Sequence, residues 1–504
     1  MNESKKLPMS AKCKDAITAF LVNFVLATVF YGGLLRKSYN ADTITYMVYP
    51  VDSVDERLRG GRYLIMLFDY IFSKLGIRTT DFYYICIFLS IVLLTASITL
   101  LQIIFRRFLK TENLLVSIGY NLALALTFCN VLFIEYFMFV EMTVFMLLGF
   151  FLATLGVYFY TEHKSITSVL LFAASVCLYQ MVVSYAAIVL VFYYMLTHDF
   201  KWSKKAVFDE MFGFLTPMLL GAANVIAIKV VSSLSKEHTF GYSFAQSGND
   251  STLTTKLGKM LAECMLFLKN SFTLLPSLYL PGIIFVLSVV LTAYMLLKSK
   301  GASGILYYLV AILVSISVIF VVPLMEEVFY FPPRMSFLLY VVQGLMLVST
   351  ISLLASVDKA MLVKMASYAV LGYMWFQMLF CFFIVSGRYV SNALDMAYCK
   401  IILQEIEKYE EENNTTVTMM TVVHDAYAPA FYDESKVHYE QINERIIGQT
   451  TRSALEAWYG KVLEDGGPVP DEIYNEYFAG KDWDSFDVGE QLVIEGNTAY
   501  LCVY

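Results

Sequence analysis

The chain has 504 residues, of which 58% are hydrophobic, with a mean hydropathy of +0.62 and a formal net charge of −7. Only 16% of its residues are charged, against about 25% in a typical soluble protein, which excludes an ordinary water-soluble enzyme. The charge is divided unevenly: residues 388–504 hold 22 acidic against 8 basic side chains, so residues 1–387 carry a net +7. A basic, membrane-embedded part over 1–387 and an acidic, soluble part over 388–504 are expected, the second as a small α/β domain.

The first apolar run, Ala11–Leu35, is too long for the apolar core of a cleaved signal and reads as an uncleaved span. Ten more follow, the eleven lying at about 13–35, 82–105, 114–134, 143–161, 166–183, 184–198, 207–232, 277–297, 304–323, 336–356 and 366–387. Most are near the ~20 residues that cross hydrocarbon, and the fifth and sixth are short and nearly continuous. The chain therefore reads as a polytopic α-helical membrane protein with about eleven transmembrane helices.

Lys and Arg concentrate in short cytoplasmic loops. Arg106, Arg107 and Lys110 follow the second span, Lys164 the fourth, Lys201, Lys204 and Lys205 the sixth, Lys298 and Lys300 the eighth, and Lys359 and Lys364 the tenth. That pattern predicts a cytoplasmic N-terminus and an extracytoplasmic C-terminal domain in a bacterial plasma membrane. Arg36 and Lys37, at the head of a long outer loop, are the exception. Two amphipathic surface helices are expected, over 54–75 and 253–272. In the C-terminal part, Val417–Val423 reads as a strand. Asp487–Ile494 and Thr498–Val503 read as a hairpin around Glu495-Gly496-Asn497.

Several chemistries are missing from the sequence. There is no Walker loop, no GxGxxG, no HExxH and no zinc-type Cys/His spacing. The eight cysteines are scattered, and only Cys399 and Cys502 could pair in an oxidising compartment. Nothing points to nucleic acid as a partner.

Ionisable residues instead gather on the outer membrane face. Asp42 follows the first span closely. Its plainer role is a helix cap or a solvated carboxylate; its sharper role is a general base at the lipid–water boundary. Arg62, in Gly60-Gly61-Arg62-Tyr63, and Arg334, after Pro332-Pro333, are interfacial arginines that either snorkel to headgroups or clamp a phosphate. Glu326-Glu327 is the salt-bridge partner expected for Arg334. Tyr179-Gln180, at an outer turn, either satisfies backbone groups or binds a sugar hydroxyl. Glu135 and Glu141 bracket the aromatic outer loop EYFMFVE, whose rings fit an interfacial belt.

The order of Asp42, Gly61-Arg62-Tyr63, Tyr179-Gln180 and Pro333-Arg334 resembles the Gtr type II glucosyltransferases, of the GT-C class of membrane glycosyltransferases, over about residues 13–400. The resemblance implies a GT-C-like domain that moves glucose or a related hexose from a polyprenyl-phosphate donor to a glycan acceptor outside the cell. Asp42 would be the catalytic base, Arg62 and Arg334 the donor phosphate ligands, and Tyr179, Gln180, Glu141 and Glu326 substrate contacts. GT-C enzymes often carry two adjacent acids in the first loop, whereas Thr43 follows Asp42 here. No cofactor is therefore expected, with a divalent metal left open. A lipid-linked glycan flippase and an O-antigen-type polymerase are the alternatives. The first should show internal repeats and Gly/Pro-broken spans, and the second a large loop between late spans.

Overall fold

The computed structural model describes residues 9–49, 57, 60–234, 252–325, 329–356, 360–424, 442, 445–481 and 486–503. Among the described residues, eight helices are long and apolar enough to cross a membrane: Lys14–Leu35, Thr79–Phe108, Thr143–Thr161, Lys204–Val231, Leu280–Ser299, Ala302–Leu324, Pro333–Ser356 and Ala360–Asn413. Three further apolar helices, Leu114–Ala125, Ser165–Val176 and Met181–Thr197, are shorter. They occupy the places of the third, fifth and sixth expected spans. A 12-residue helix such as Leu114–Ala125 is about 18 Å long, well short of the ~30 Å hydrocarbon thickness. The protein is a mostly helical, polytopic membrane protein.

The segment Pro333–Ser356 is buried along its whole apolar length and forms the central column. Around it pack Leu114–Ala125, Met181–Thr197, Leu280–Ser299, Ala302–Met325 and Ala360–Asn413. Close approach depends on glycine here, as between membrane helices generally: a Cβ on Gly344 would lie 2.6 Å from the Ala123 carbonyl oxygen. Helices on the outside of the bundle leave large apolar side chains exposed, among them Leu21, Val25, Leu219, Val286, Leu313 and Phe382, as a lipid-facing surface requires.

After Ala125 the chain abandons regular helix. A 3-10 turn, Val131–Ile134, and a single helical turn, Glu135–Met138, lead to the next long helix. The aromatic run 135–142 is not an interfacial belt as expected but is buried throughout. Irregular backbone at membrane depth survives only where protein satisfies its polar groups. Asn130 Oδ1 accepts from Leu132 N–H at 3.2 Å and Phe133 N–H at 3.1 Å. Gln377 Oε1 accepts from Val131 N–H at 3.2 Å, and Tyr31 Oη donates to the Phe128 carbonyl at 2.6 Å.

Ion pairs place several helix ends together. Asp15 meets Arg106 at 3.3 Å and Glu162 meets Arg107 at 3.8 Å; Asp199 pairs with Lys300. The basic clusters that end these helices thus share one end of the bundle. At the opposite end lie the short helices Ala41–Val48 and Tyr63–Lys74. The second is amphipathic: Ile65 and Asp69 are buried, while Leu67, Tyr70 and Ile71 are exposed. Residues 54–56 and 58–59, the start of the expected surface helix, lie outside the described residues. The helix Leu253–Asn270 begins where Thr252 caps it by accepting from Thr255 N–H.

The helix Ala360–Asn413 continues as one element past the charge boundary near residue 388. Beyond it a four-stranded sheet runs in the order β2-β1-β4-β3, with β1 at Met419–His424, β2 at Glu464–Asp465, β3 at Leu492–Glu495 and β4 at Thr498–Val503. β1 pairs in parallel with β2 and β4, and β3 and β4 form an antiparallel hairpin. Gly496, with φ +61°, makes its turn. The strand expected from Asp487 starts only at Leu492, because the Asp487 side chain accepts from Gly489 N–H and caps a helical turn, Val488–Gln491. Cys399 and Cys502 are buried in separate apolar clusters and are not bonded to each other.

Candidate functional site

The end of the bundle away from the basic clusters holds the ionisable residues singled out in the sequence, except Glu326 and Glu327, which lie outside the described residues. They fall into two adjoining groups joined by the consecutive residues Glu141 and Met142.

The first group surrounds the helix Ala41–Val48. Asn40 starts this helix by accepting from Thr43 N–H at 2.7 Å. Its first turn carries Asp42, which is exposed. Thr43 is buried and donates to Glu141 Oε2 at 2.7 Å. Thr79 Oγ1 donates to the Glu141 carbonyl at 3.4 Å. Beneath them the buried Arg57 pairs with the buried Asp69 and lies 5.5 Å from the Tyr46 ring. Burial pushes the Glu141 carboxyl up to about 7; Arg57 and the Thr43 hydroxyl pull it down, and the nearby Asp42 charge adds to the rise. Burial likewise holds the Asp69 carboxyl above its usual range, against the pull of Arg57.

The second group surrounds Arg62. Gly61 takes φ +66°, and a Cβ there would lie 2.6 Å from Asn224 Oδ1 and from Ile228 Cδ1. Only glycine fits that turn. Three bonds fix the turn from outside: Gln180 Nε2 to the Gly60 carbonyl, Asn224 Nδ2 to the Gly61 carbonyl at 3.1 Å, and Leu64 N–H to the Cys177 carbonyl at 3.1 Å. Gln180 therefore acts on the backbone that presents Arg62. The Arg62 guanidinium lies 5.8 Å from the Tyr179 ring centroid. Its Nη1 meets Met142 Sδ at 3.3 Å, and its buried Nε has no acceptor among the described residues. A thioether is a weak acceptor, so this cation is poorly satisfied.

Arg334 lies close by in a different state. Its Nη1 donates to Glu135 Oε1 at 2.6 Å, its backbone N–H to Glu135 Oε2, and its Nη2 to Tyr330 Oη at 2.9 Å. Glu135 is fully buried, and Tyr136 donates to the Arg334 carbonyl. Glu135 is thus a carboxylate partner of Arg334; the expected partners, Glu326 and Glu327, lie outside the described residues. Tyr179 packs edge-on against Tyr136 at 5.5 Å, and the charges of both arginines reach it.

A family model described as glucosyl transferase GtrII matches residues 31–351. The chain belongs to that family. No curated protein and no solved structure matches it. The GtrII match covers Asp42, Arg57, Arg62, Glu135, Glu141, Tyr179 and Arg334, and ends within the central column, before the helix Ala360–Asn413. Two members of the cluster carried little sequence signal. Arg57 reads as one charge in a charged stretch, and Asp69 interrupts an apolar run. A lone carboxylate on the apolar side of an amphipathic helix is the one clue that a buried cation had to meet it.

Proposed function

We propose that this GtrII-family protein transfers glucose, or a related hexose, from a polyprenyl-phosphate carrier to a cell-envelope glycan. Transfer takes place on the extracytoplasmic face of the bacterial plasma membrane. The observation that carries the reading is the under-satisfied Arg62 guanidinium, set one residue through Met142 from Glu141, which itself feels the Asp42 charge, in a chain of a glucosyl transferase family. A buried donor without an acceptor needs a reason in a folded protein, and a substrate phosphate that completes the bonding supplies one here.

In this mechanism the acceptor hydroxyl attacks the anomeric carbon as the bond from that carbon to the phosphate oxygen breaks. The hydroxyl proton goes to the Asp42 carboxylate, and the bonding pair leaves with the phosphate. Arg62 donates to the phosphate as its charge grows. Displacement from the opposite face inverts the anomeric centre. Asp42 suits the base role because it is exposed to an incoming acceptor while the helix holding it is fixed by Thr43 and Asn40. No step runs through a metal. The extracytoplasmic assignment rests on the basic loop clusters at the other end of the bundle.

The test is hexose transfer from a polyprenyl-phosphate donor by purified protein, parent against Asp42→Asn. The expected loss is roughly 10²–10⁴-fold, the usual worth of a positioned base, with donor binding retained. Transfer that survives in the variant removes Asp42 from the role. Absence of transfer by the parent from any such donor, with lipid-linked sugar crossing liposomes instead, overturns the enzyme reading.

A further inference from the structure

The GtrII match ends at residue 351, yet the helix that carries Asp42 is held from beyond that point. Tyr39, just ahead of this helix, has both backbone polar groups captured by one side chain. Asn392 Nδ2 donates to the Tyr39 carbonyl at 2.7 Å, and Asn392 Oδ1 accepts from Tyr39 N–H at 3.1 Å. Arg388 Nη2, one turn earlier on the same long helix, donates to the same carbonyl at 2.6 Å. Both side chains are buried. About one turn further on, the buried Asp395 accepts from Arg445 Nε at 2.8 Å and from Ile446 N–H at 3.0 Å. That pair ties the C-terminal helices Ile446–Gln449 and Thr451–Tyr459 to the long helix.

The other attachment is apolar. Ile44, two residues after Asp42, is fully buried, and it belongs to the cluster built from Cys399, Ile402, Ile406, Ile446, Ile447 and Leu455. The helix Ala41–Val48 packs directly on Thr451–Tyr459. Consecutive residues therefore face different parts of the molecule: Thr43 bonds to Glu141 in the family-matched part, and Ile44 seats in the C-terminal core. Asp42 stands exposed beside both.

We infer that Arg388, Asn392, Asp395 and Arg445 are positioning residues for transfer, and that the C-terminal part is a working half of the site that sets where Asp42 stands. The inference rests on the reading of Asp42 as the base. The physical ground is that misplacing a catalytic group by about 1 Å can cost roughly 10²-fold in rate, while the helix Ala41–Val48, only 8 residues long, is too short to hold its place alone.

The experiment uses the full chain in detergent or nanodiscs and compares parent, Asn392→Ala, Arg445→Ala and Arg445→Lys. It reads transfer rate per folded molecule, donor KM, and hydrogen exchange over residues 39–48. Asn392→Ala removes two hydrogen bonds and leaves the ion pair intact, so it tests the inference even if Arg445→Ala does not fold. The expected result is a kcat lowered by about tenfold or more at unchanged donor KM. Exchange should quicken over 39–48 but not over 143–161, and Arg445→Lys should recover part of the loss. A purely structural role would lower the yield of folded protein and leave kcat per folded molecule unchanged, and that outcome overturns the inference. If the parent itself transfers nothing, the function reading fails, and the exchange arm alone judges the attachment. Unchanged protection over 39–48 then sinks the inference, and lost protection supports it.

Discussion

Arg334 and Arg62 both act on Tyr179, in one chemical setting and in opposite states. Arg334 is closed: Glu135 takes two of its donors and Tyr330 a third. Arg62 is open, with a thioether at one nitrogen and no acceptor at its buried Nε among the described residues. Both are arginines next to glycine or proline at the end of the bundle away from the basic clusters, and the sequence treats them alike. Under the proposed function, the half-buried cation already matched by a carboxylate maintains the fold, and the one held open by its backbone is left to meet a substrate anion.

Five substitutions test that contrast and its surroundings. The largest effect falls on the closed arginine. Arg334→Ala leaves the buried Glu135 without that cation, and breaking such a pair costs about 3–5 kcal/mol. The expected outcome is a marked loss of folded protein by thermal scanning in detergent, and an unchanged melting temperature would break the contrast. Arg62→Ala should behave in the opposite way, with near-parental stability. A charge-assisted hydrogen bond is worth about 1.5–3 kcal/mol, so donor binding should weaken by roughly 10–100-fold, read by titration with polyprenyl phosphate. Equal donor affinity in parent and variant would remove Arg62 from the phosphate site.

Gly61→Ala forces a Cβ into a left-handed residue against Asn224 and Ile228. The backbone cost alone is about 1–2 kcal/mol, and relief of the clash must move Arg62. Donor affinity should fall with it, and a variant of normal affinity would show that the turn does not position the guanidinium.

The smallest effect is on pH dependence. The Glu141 carboxyl titrates near 7 instead of 4.5, so between those values the folded chain holds a proton that the unfolded chain has lost. Stability contributed by that proton is present below about pH 4.5 and declines as pH rises to about 7. A plot of melting temperature against pH should show this decline in the parent and a shallower one in Glu141→Gln. Asp42→Asn removes a neighbouring negative charge, so its decline should move to lower pH. An identical profile in all three proteins would separate Asp42 from Glu141.

Much of this was legible in the chain itself. The long spans follow from apolar run length, and the gathering of Asp42, Arg62, Glu141, Tyr179 and Arg334 at one end of the bundle follows from loop order. What misled was local composition. The run EYFMFVE has the make-up of an interfacial belt, but the short helix Leu114–Ala125 draws it into the core, where Glu135 can meet Arg334. Length over 114–134 read as one span because hydropathy does not register where a helix stops. Asn130, whose side chain replaces the helical bonding at that stop, looks in the sequence like one polar residue in an apolar run.

By itself, then, the sequence determined that the protein is a polytopic membrane protein, where its long helices lie, and which charged residues stand outside them, because solvent transfer and helix period act residue by residue along the chain. Tertiary structure alone decided that Glu135 closes Arg334 while Arg62 stays open. It also decided that Glu141 is buried beside Asp42, and that Arg388, Asn392 and Ile44 join the first loop to the C-terminal part. Those outcomes rest on hydrogen bonds and burial between residues tens to hundreds of positions apart, and no local pattern carries a pairing whose partner is set only when the chain packs.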